Sequence, residues 1–231
     1  MLDDRMSFAG DYLVKCGYQL VDNIDDADFV LLPIPAKDYM FENLENKTIF
    51  YGVGDHRGFD YNKLEAFLLE NAYLTSEGAV ALLKENTQKS IYNSQILITG
   101  YGRIAQALHK ALSAMGADVT ICCRSDKNKI SAHFNGAKVI GFDDLKNDND
   151  FDFIFNTVPH LIFTKNELDK IKKDAILIDL ASFPGGVDTH YAKAKGVCCV
   201  DGKRLPSRYS SIAAGELIGR TVEKIIKEDF S

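Results

Sequence analysis

The residues whose spacing speaks most directly of chemistry are Gly100, Gly102 and Ala105, set in the run Ile96-Leu97-Ile98-Thr99-Gly100-Tyr101-Gly102-Arg103-Ile104-Ala105. An apolar strand that ends in G-x-G-x-x-A and opens a helix suits a pyrophosphate. The first glycine permits a tight turn, the second lets the backbone approach the phosphates, and the small third residue allows close packing of helix on strand. The helix amino terminus adds unpaired N–H groups and the positive end of a dipole. Gly100, Tyr101, Gly102, Arg103 and Ile104 are therefore expected to hold a dinucleotide. A glycine turn without a ligand is the alternative. The strand before, a helix over Arg103 to Met115 and a second strand over Val119 to Cys123 favour the ligand.

The end of that second strand reports on the ribose, where NAD sites usually carry an acid about twenty residues beyond the glycines. Here Arg124 and Ser125 stand in that place. A guanidinium and a hydroxyl suit a 2′-phosphate, so NADP(H) is the expected cofactor. Asp126 follows and can accept from a ribose hydroxyl, which keeps NAD(H) as the alternative.

Ligands of open α/β sheets sit beyond the carboxyl ends of strands. Two further strand ends are unusual: Asn156-Thr157-Val158-Pro159, and Asp179-Leu180-Ala181-Ser182-Phe183-Pro184-Gly185-Gly186. Asn156, Thr157, Val158, Pro159, Asp179, Ala181 and Ser182 are assigned to the nicotinamide half of the cofactor, against the reading of two ordinary strand-to-helix turns. Thr75, Ser76, Pro184, Gly185 and Gly186 are assigned to the substrate side.

Hydride chemistry belongs to the cofactor, so the chain must orient a ring, bind substrate charge and move a proton. Glu77 is a candidate acid/base, or a first-turn glutamate that favours a helix dipole. His160 has an imidazole whose usual pKa of about 6.5 suits proton transfer, but no partner for it can be read from sequence, which favours a loop histidine without a role. Arg208, near Lys203 and Arg204, is a candidate for binding a carboxylate, or part of a solvated basic loop. Glu77, the loop from Ser182 to Gly186, and Arg208 are expected to converge beside the nicotinamide. The five cysteines, Cys16, Cys122, Cys123, Cys198 and Cys199, lack metal-ligand spacing and read as small hydrophobes, so no metal is expected.

These residues need a scaffold. From about Asn93, strands over Gln95 to Thr99, Val119 to Cys123, Ala137 to Ile140, Phe153 to Asn156, Ala175 to Asp179 and Val197 to Val200 alternate with helices, and Ser210 to Lys227 closes the chain as a helix. That rhythm predicts a Rossmann-type doubly wound parallel α/β sheet over 93–231. Residues 1–75 read as a second, smaller α/β domain on the substrate side, with a helix over Ser7 to Cys16 and strands at Tyr18 to Val21, Asp28 to Ile34 and Lys47 to Tyr51. A helix over Asn62 to Glu70 follows. Residues 76–92 read as a bridging helix capped by Ser76. The last helix is a candidate to pack back on the smaller domain.

Bulk properties narrow the partners. The 231 residues are 46% hydrophobic with a net charge of −6, and no basic run marks a nucleic-acid surface. Apolar stretches fall short of the ~20 residues that span a bilayer. The acidic amino terminus lacks a secretory signal pattern, so a cytoplasmic protein is expected. Self-association into a homo-oligomer is left open.

Taken together, Thr75-Ser76-Glu77-Gly78, the G-x-G-x-x-A turn, Cys123-Arg124-Ser125, Asn156-Thr157-Val158-Pro159, Asp179-Leu180-Ala181-Ser182-x-Pro184-Gly185-Gly186-x-Asp188, Leu205-Pro206 and Ala214-Gly215-Glu216 resemble the family of the A subunit of dipicolinate synthase. The resemblance covers most of Asn71 to Lys227. It implies a sporulation dehydrogenase that moves hydride between a dihydrodipicolinate-like dicarboxylate and NADP, and whose partner is a flavoprotein-like B subunit. Two features depart from the family pattern. That pattern begins with another strand and glycine-rich turn before the segment matching Asp4-Arg5, so the N-terminal domain reads as shortened. Its Gly-Lys-Val-Ala-Pro-Lys-Thr-Ala-Gly stretch is here Ser207-Arg208-Tyr209-Ser210-Ser211-Ile212-Ala213-Ala214-Gly215, which keeps one basic residue and replaces the second by Ile212. Two other readings are carried forward: a dinucleotide-binding accessory or sensor protein, and a folate- or shikimate-type dehydrogenase by analogy of architecture.

Overall fold

The computed structural model describes residues 4–147 and 150–230. Its helices and strands, in chain order, are α1 (Asp4–Lys15), β1 (Phe29–Leu31), β2 (Thr48–Tyr51), β3 (Phe59–Asp60), α2 (Glu65–Glu85), β4 (Gln95–Thr99), α3 (Arg103–Ala114), β5 (Asp118–Cys122), α4 (Asp126–Phe134), β6 (Lys138–Ile140), β7 (Phe153–Asn156), α5 (Lys165–Leu168), β8 (Ile176–Asp179), α6 (Thr189–Lys195), β9 (Cys198–Asp201), α7 (Leu205–Tyr209) and α8 (Ser211–Asp229). They form two compact units. One runs up to Leu74 and resumes at Pro206; the other is Thr75–Leu205.

The second unit is built on six parallel strands in the order β6-β5-β4-β7-β8-β9. This is the Rossmann-type doubly wound sheet that the alternation predicts. Strands covered on both faces read as continuous apolar runs. β7 and β8 are buried at every position, and Leu97, Ile154 and Leu177 pack against Phe163, Leu168 and Ile171. The strand order reverses between β4 and β7, and that reversal opens a crevice at their carboxyl ends.

The opposite, amino-terminal edge of this sheet carries charge. Asp152 Oδ2 accepts the Gln95 backbone N–H at 3.0 Å, and Oδ1 accepts from Lys172 Nζ at 3.0 Å. Burial pushes the Asp152 carboxyl up, but the Gln95 amide and the Lys172 and Lys89 ammonium groups outweigh it and hold it below the usual 3.8. A depressed carboxyl contributes stability that is complete above the unfolded-state value and fades as pH falls through the folded one. Asp152→Asn is therefore expected to lower stability by about 1–2 kcal/mol at pH 7. The difference from wild type should shrink below about pH 4 in urea titrations. A difference independent of pH would remove the ionic explanation.

The first unit holds a three-stranded parallel sheet in the order β1-β2-β3. Phe50, Phe67, Ala9, Leu13, Leu217, Ile218 and Val222 form its main core. Leu32, Leu44, Ile49 and Tyr51 form a second cluster with Val30 and Phe41. α8 lies tightly on α1: a Cβ on Gly215 would fall 2.5 Å from Arg5 O and Phe8 Cβ, and one on Gly219 would fall 2.9 Å from Ala9 O. Gly215, part of the family resemblance, is thus required by helix packing.

Several expected elements differ. Tyr18 to Val21 is not a strand, and Leu20 and Val21 are exposed. β3 is an additional two-residue strand. The helices expected over Asn62 to Glu70 and 76–92 are one helix, α2, which ends at Glu85. No glycine or proline interrupts the chain between Glu70 and Ser76, and Ser76 is buried inside the helix rather than capping it. The cysteines divide by burial. Cys122 and Cys123 are buried, Cys199 is half-buried, and Cys16 and Cys198 are exposed. Burial pushes the Cys122 thiol up to about 12 and Cys199 up to about 11, so both stay protonated.

Candidate functional site

The glycine turn sits at the carboxyl end of β4. Gly100 has φ +86°, a conformation that favours glycine, and a Cβ there would fall 2.6 Å from Thr157 Oγ1. Its N–H donates to Cys122 O at 2.8 Å, which ties the turn to β5. Gly102 is different. It caps α3 from an ordinary extended conformation (φ −80°, ψ −172°) with no side chain capping the helix, and a Cβ there would meet nothing within 4 Å. The turn therefore has a tight, filled side at Gly100 and an open side at Gly102, next to the amino end of a twelve-residue helix. That combination fits a pyrophosphate held by backbone N–H groups.

A buried polar row lies beside the turn. Strand register aligns Thr99 with Asn156 and Asn156 with Asp179. The Thr99 hydroxyl donates to Asn156 Oδ1 at 2.5 Å, and Asn156 Nδ2 donates to Asp179 Oδ1 at 2.7 Å. Asp179 also accepts the backbone N–H groups of Ala181 at 3.3 Å and Gly186 at 3.1 Å. Asn156 further bonds the Val158 N–H and C=O. Mutually satisfied buried groups fix one another's orientation. This row fixes the loops that follow β7 and β8. The loops also hold each other: Ile162 and Phe163 donate to Gly186 O, both at 2.9 Å. Any Cβ on Gly186 would collide with Asn156 Nδ2. Their tips are free of the core, with Pro159, His160, Ser182, Phe183 and Pro184 exposed.

Gly100, Gly102, Asn156 to Pro159 and Asp179 to Gly186 thus share the carboxyl edge of one sheet. Asn156 and Asp179 face inward and support it; Thr157, Val158 and the tips are the accessible part. Arg124 is exposed just beyond β5. Ser125 has a structural task, since its Oγ accepts the Asn128 N–H and caps α4. Arg103 is exposed and Ile104 half-buried in the first turn of α3. Tyr101 turns inward and is 3% exposed. Thr75 and Ser76 are buried within α2, while Glu77 is exposed in mid-helix, so the first-turn reading of Glu77 does not hold. Arg208, exposed on α7, stacks over the Tyr209 ring at 5.2 Å and belongs to the other unit. Spacing does not pick out Thr99, Gln106 or His109: the first becomes visible through strand register, His109 as the polar residue among the otherwise apolar buried positions of α3, and Gln106, exposed on that helix, only through its bond to the Tyr101 carbonyl.

A glycine turn open at Gly102, at the reversal of a parallel sheet, is the arrangement of a dinucleotide domain. Residues 68–183 match the family of the D-isomer specific 2-hydroxyacid dehydrogenase, NAD binding domain. The chain belongs to that family. It is also 29% identical over 159 residues to the A subunit of dipicolinate synthase of Bacillus subtilis (strain 168), a match that covers 68% of this chain and 54% of that protein. A crystal structure of the dipicolinate synthase A subunit from Bacillus halodurans superposes with a TM-score of 0.85 at 20% identity, covering 96% of this chain and 94% of that one. The transhydrogenase of Sinorhizobium meliloti shares the fold at a TM-score of 0.71 and 14% identity, over 88% of this chain and 75% of that one. The resemblance read from the motifs is borne out. The chain spans about half the length of the curated Bacillus subtilis relative it matches. What the family match establishes is a nicotinamide-dinucleotide-binding domain of dehydrogenase type. Among the described residues, no helix is long and apolar enough to cross a membrane.

Proposed function

We propose that this protein is an NADP(H)-dependent dehydrogenase that moves hydride between the nicotinamide and a dihydrodipicolinate-like small dicarboxylate. The observation that carries the reading is the pairing of the open Gly102 turn with Arg124, where an acid would favour NAD. The cofactor supplies the hydride chemistry when bound. The chain's share is to hold and orient. Gly100 turns the chain, the residues from Tyr101 to Ile104 present N–H groups to the pyrophosphate, and Arg124 takes the 2′-phosphate, with Ser125 holding the loop as a helix cap. Thr157 to Pro159 and the Ala181–Ser182 segment position the nicotinamide half. Arg208 is proposed to bind a substrate carboxylate, and Glu77 or His160 to carry the proton. The Bacillus subtilis relative is, by its name, one part of a multisubunit enzyme, and a B-type subunit is the proposed partner.

NADPH is expected to bind at least about tenfold more tightly than NADH, and Arg124→Asp to reverse the order. Calorimetry with both cofactors decides this, and equal affinities or tighter NADH would reject the NADP assignment. Turnover of a dihydrodipicolinate-type substrate tests the reaction. A second reading has its own support. Glu77 and His160 are both exposed, whereas acid/base groups are usually tuned by burial. Tight dinucleotide binding without turnover, alone or with a B-type subunit, would favour an accessory or sensor.

A further inference from the structure

Tyr101 occupies the middle of the glycine turn, where a small or outward-facing residue would serve, yet its ring is buried. Its hydroxyl lies 3.3 Å from Nδ1 of His109, two turns along α3, and His109 is itself only 4% exposed. The Tyr101 carbonyl is held as well, accepting from Gln106 Nε2 at 3.0 Å. The side chain of Asn135, at the end of α4, and the Cys123 thiol face the same hydroxyl. Burial pushes the imidazole down and the phenol up, so the pair is neutral near pH 7, and the imidazole tautomer sets which of the two groups donates.

Such a pair adds little to stability compared with two apolar side chains of similar shape. What it adds is direction. A hydrogen bond at the ring tip and another at the carbonyl fix Tyr101 at both ends, and so fix the plane of the Tyr101–Gly102 peptide. In a trans peptide the C=O and N–H point opposite ways. With the carbonyl captured by Gln106, the Gly102 N–H is turned away from it, at the residue whose Cβ side is open.

We propose that Tyr101, His109 and Gln106 are positioning residues that hold the Gly100–Gly102 backbone in its dinucleotide-binding form. The proposal rests on the dinucleotide reading of the turn. It is tested on the full chain by NADPH and NADH titrations, with melting temperatures measured in parallel. Tyr101→Phe and His109→Leu should each weaken binding about tenfold, the effect of one lost hydrogen bond. His109→Asn, which can place an amide oxygen near the position of Nδ1, should retain most of the affinity. The double variant Tyr101→Phe/His109→Leu is decisive, because pairing two apolar groups restores stability without restoring direction. Its melting temperature should exceed that of His109→Leu alone while its affinity stays about tenfold low. Wild-type affinity in the double variant, or in a folded Tyr101→Phe protein, would overturn the proposal. Absence of binding by the wild-type protein would instead overturn the dinucleotide reading on which it rests.

Discussion

Gly102→Val should abolish dinucleotide binding, raising Kd by about 100-fold or more, while the melting temperature stays within about two degrees of wild type. The two halves of this expectation have separate origins. Gly102 adopts extended backbone angles that valine accepts readily, and a Cβ there meets no protein atom within 4 Å, so folding is not disturbed. The same open space is where the pyrophosphate must approach, and a branched side chain would fill it. Gly100→Ala provides the contrast. Its positive φ and the contact with Thr157 predict damage to the fold as well as to binding. Calorimetry paired with thermal denaturation separates the two variants. Binding retained by a folded Gly102→Val protein would reduce the motif to a turn.

The second large effect is expected at Asp179. Its carboxyl oxygens accept from three donors, the Asn156 side-chain amide and the Ala181 and Gly186 backbone N–H groups. Asp179→Asn turns one acceptor into a donor, and either orientation of the new amide sets an N–H against an N–H inside the protein. The cost should be about 2–4 kcal/mol, because buried donors are left unmatched. Urea denaturation measures it. Keeping the amide oxygen on the side that faces two donors, Asn156 and Ala181, turns the NH2 toward Gly186, so hydrogen exchange at Gly186 should accelerate in the same variant. Unchanged stability would mean that the row from Thr99 to Asp179 does not hold the strand-end loops.

The second unit is the more legible from sequence, for a physical reason. Its strands are covered on both faces, so β4 and β7 appear as unbroken apolar runs, and both span the residues that pattern alone indicates. The strands of the first unit are two to four residues long. Tyr18 to Val21 carries strand-forming residues, yet pairs with none of the three strands of that sheet; pairing is non-local, and a four-residue window does not contain it. Ser76 shows a related limit. A serine before an apolar run resembles an N-cap, but nothing upstream breaks the helix, so α2 runs through it.

The site divides along the same line. Gly100 and Gly102 are visible because their job depends on spacing within a few residues. The partnership of Thr99, Asn156 and Asp179 depends on the register of three separated strands, so sequence position assigns Asn156 and Asp179 to the cofactor while their side chains brace the loops from inside. His109 carries no local signal, because a single histidine on an apolar helix face has no meaning until Tyr101 is placed against it. Arg124 is intermediate: its position can be counted from the glycines, but its contact with a 2′-phosphate is a matter for the calorimeter.

The tight seat of α8 on α1, made possible by Gly215 and Gly219, has a consequence for synthesis. The Thr75–Leu205 unit is continuous in sequence, so every strand of its sheet is synthesised before α8. The first unit starts earlier and finishes later. Until α8 emerges, the apolar residues Ala9 and Leu13 of α1, with Phe50 and Phe67, lack the Leu217, Ile218 and Val222 side chains that complete their core. The usual order, in which the amino-terminal domain folds first, is thereby inverted. The sheet unit can close on residues that all precede α8, whereas the first unit is complete only when α8 has followed them out of the ribosome.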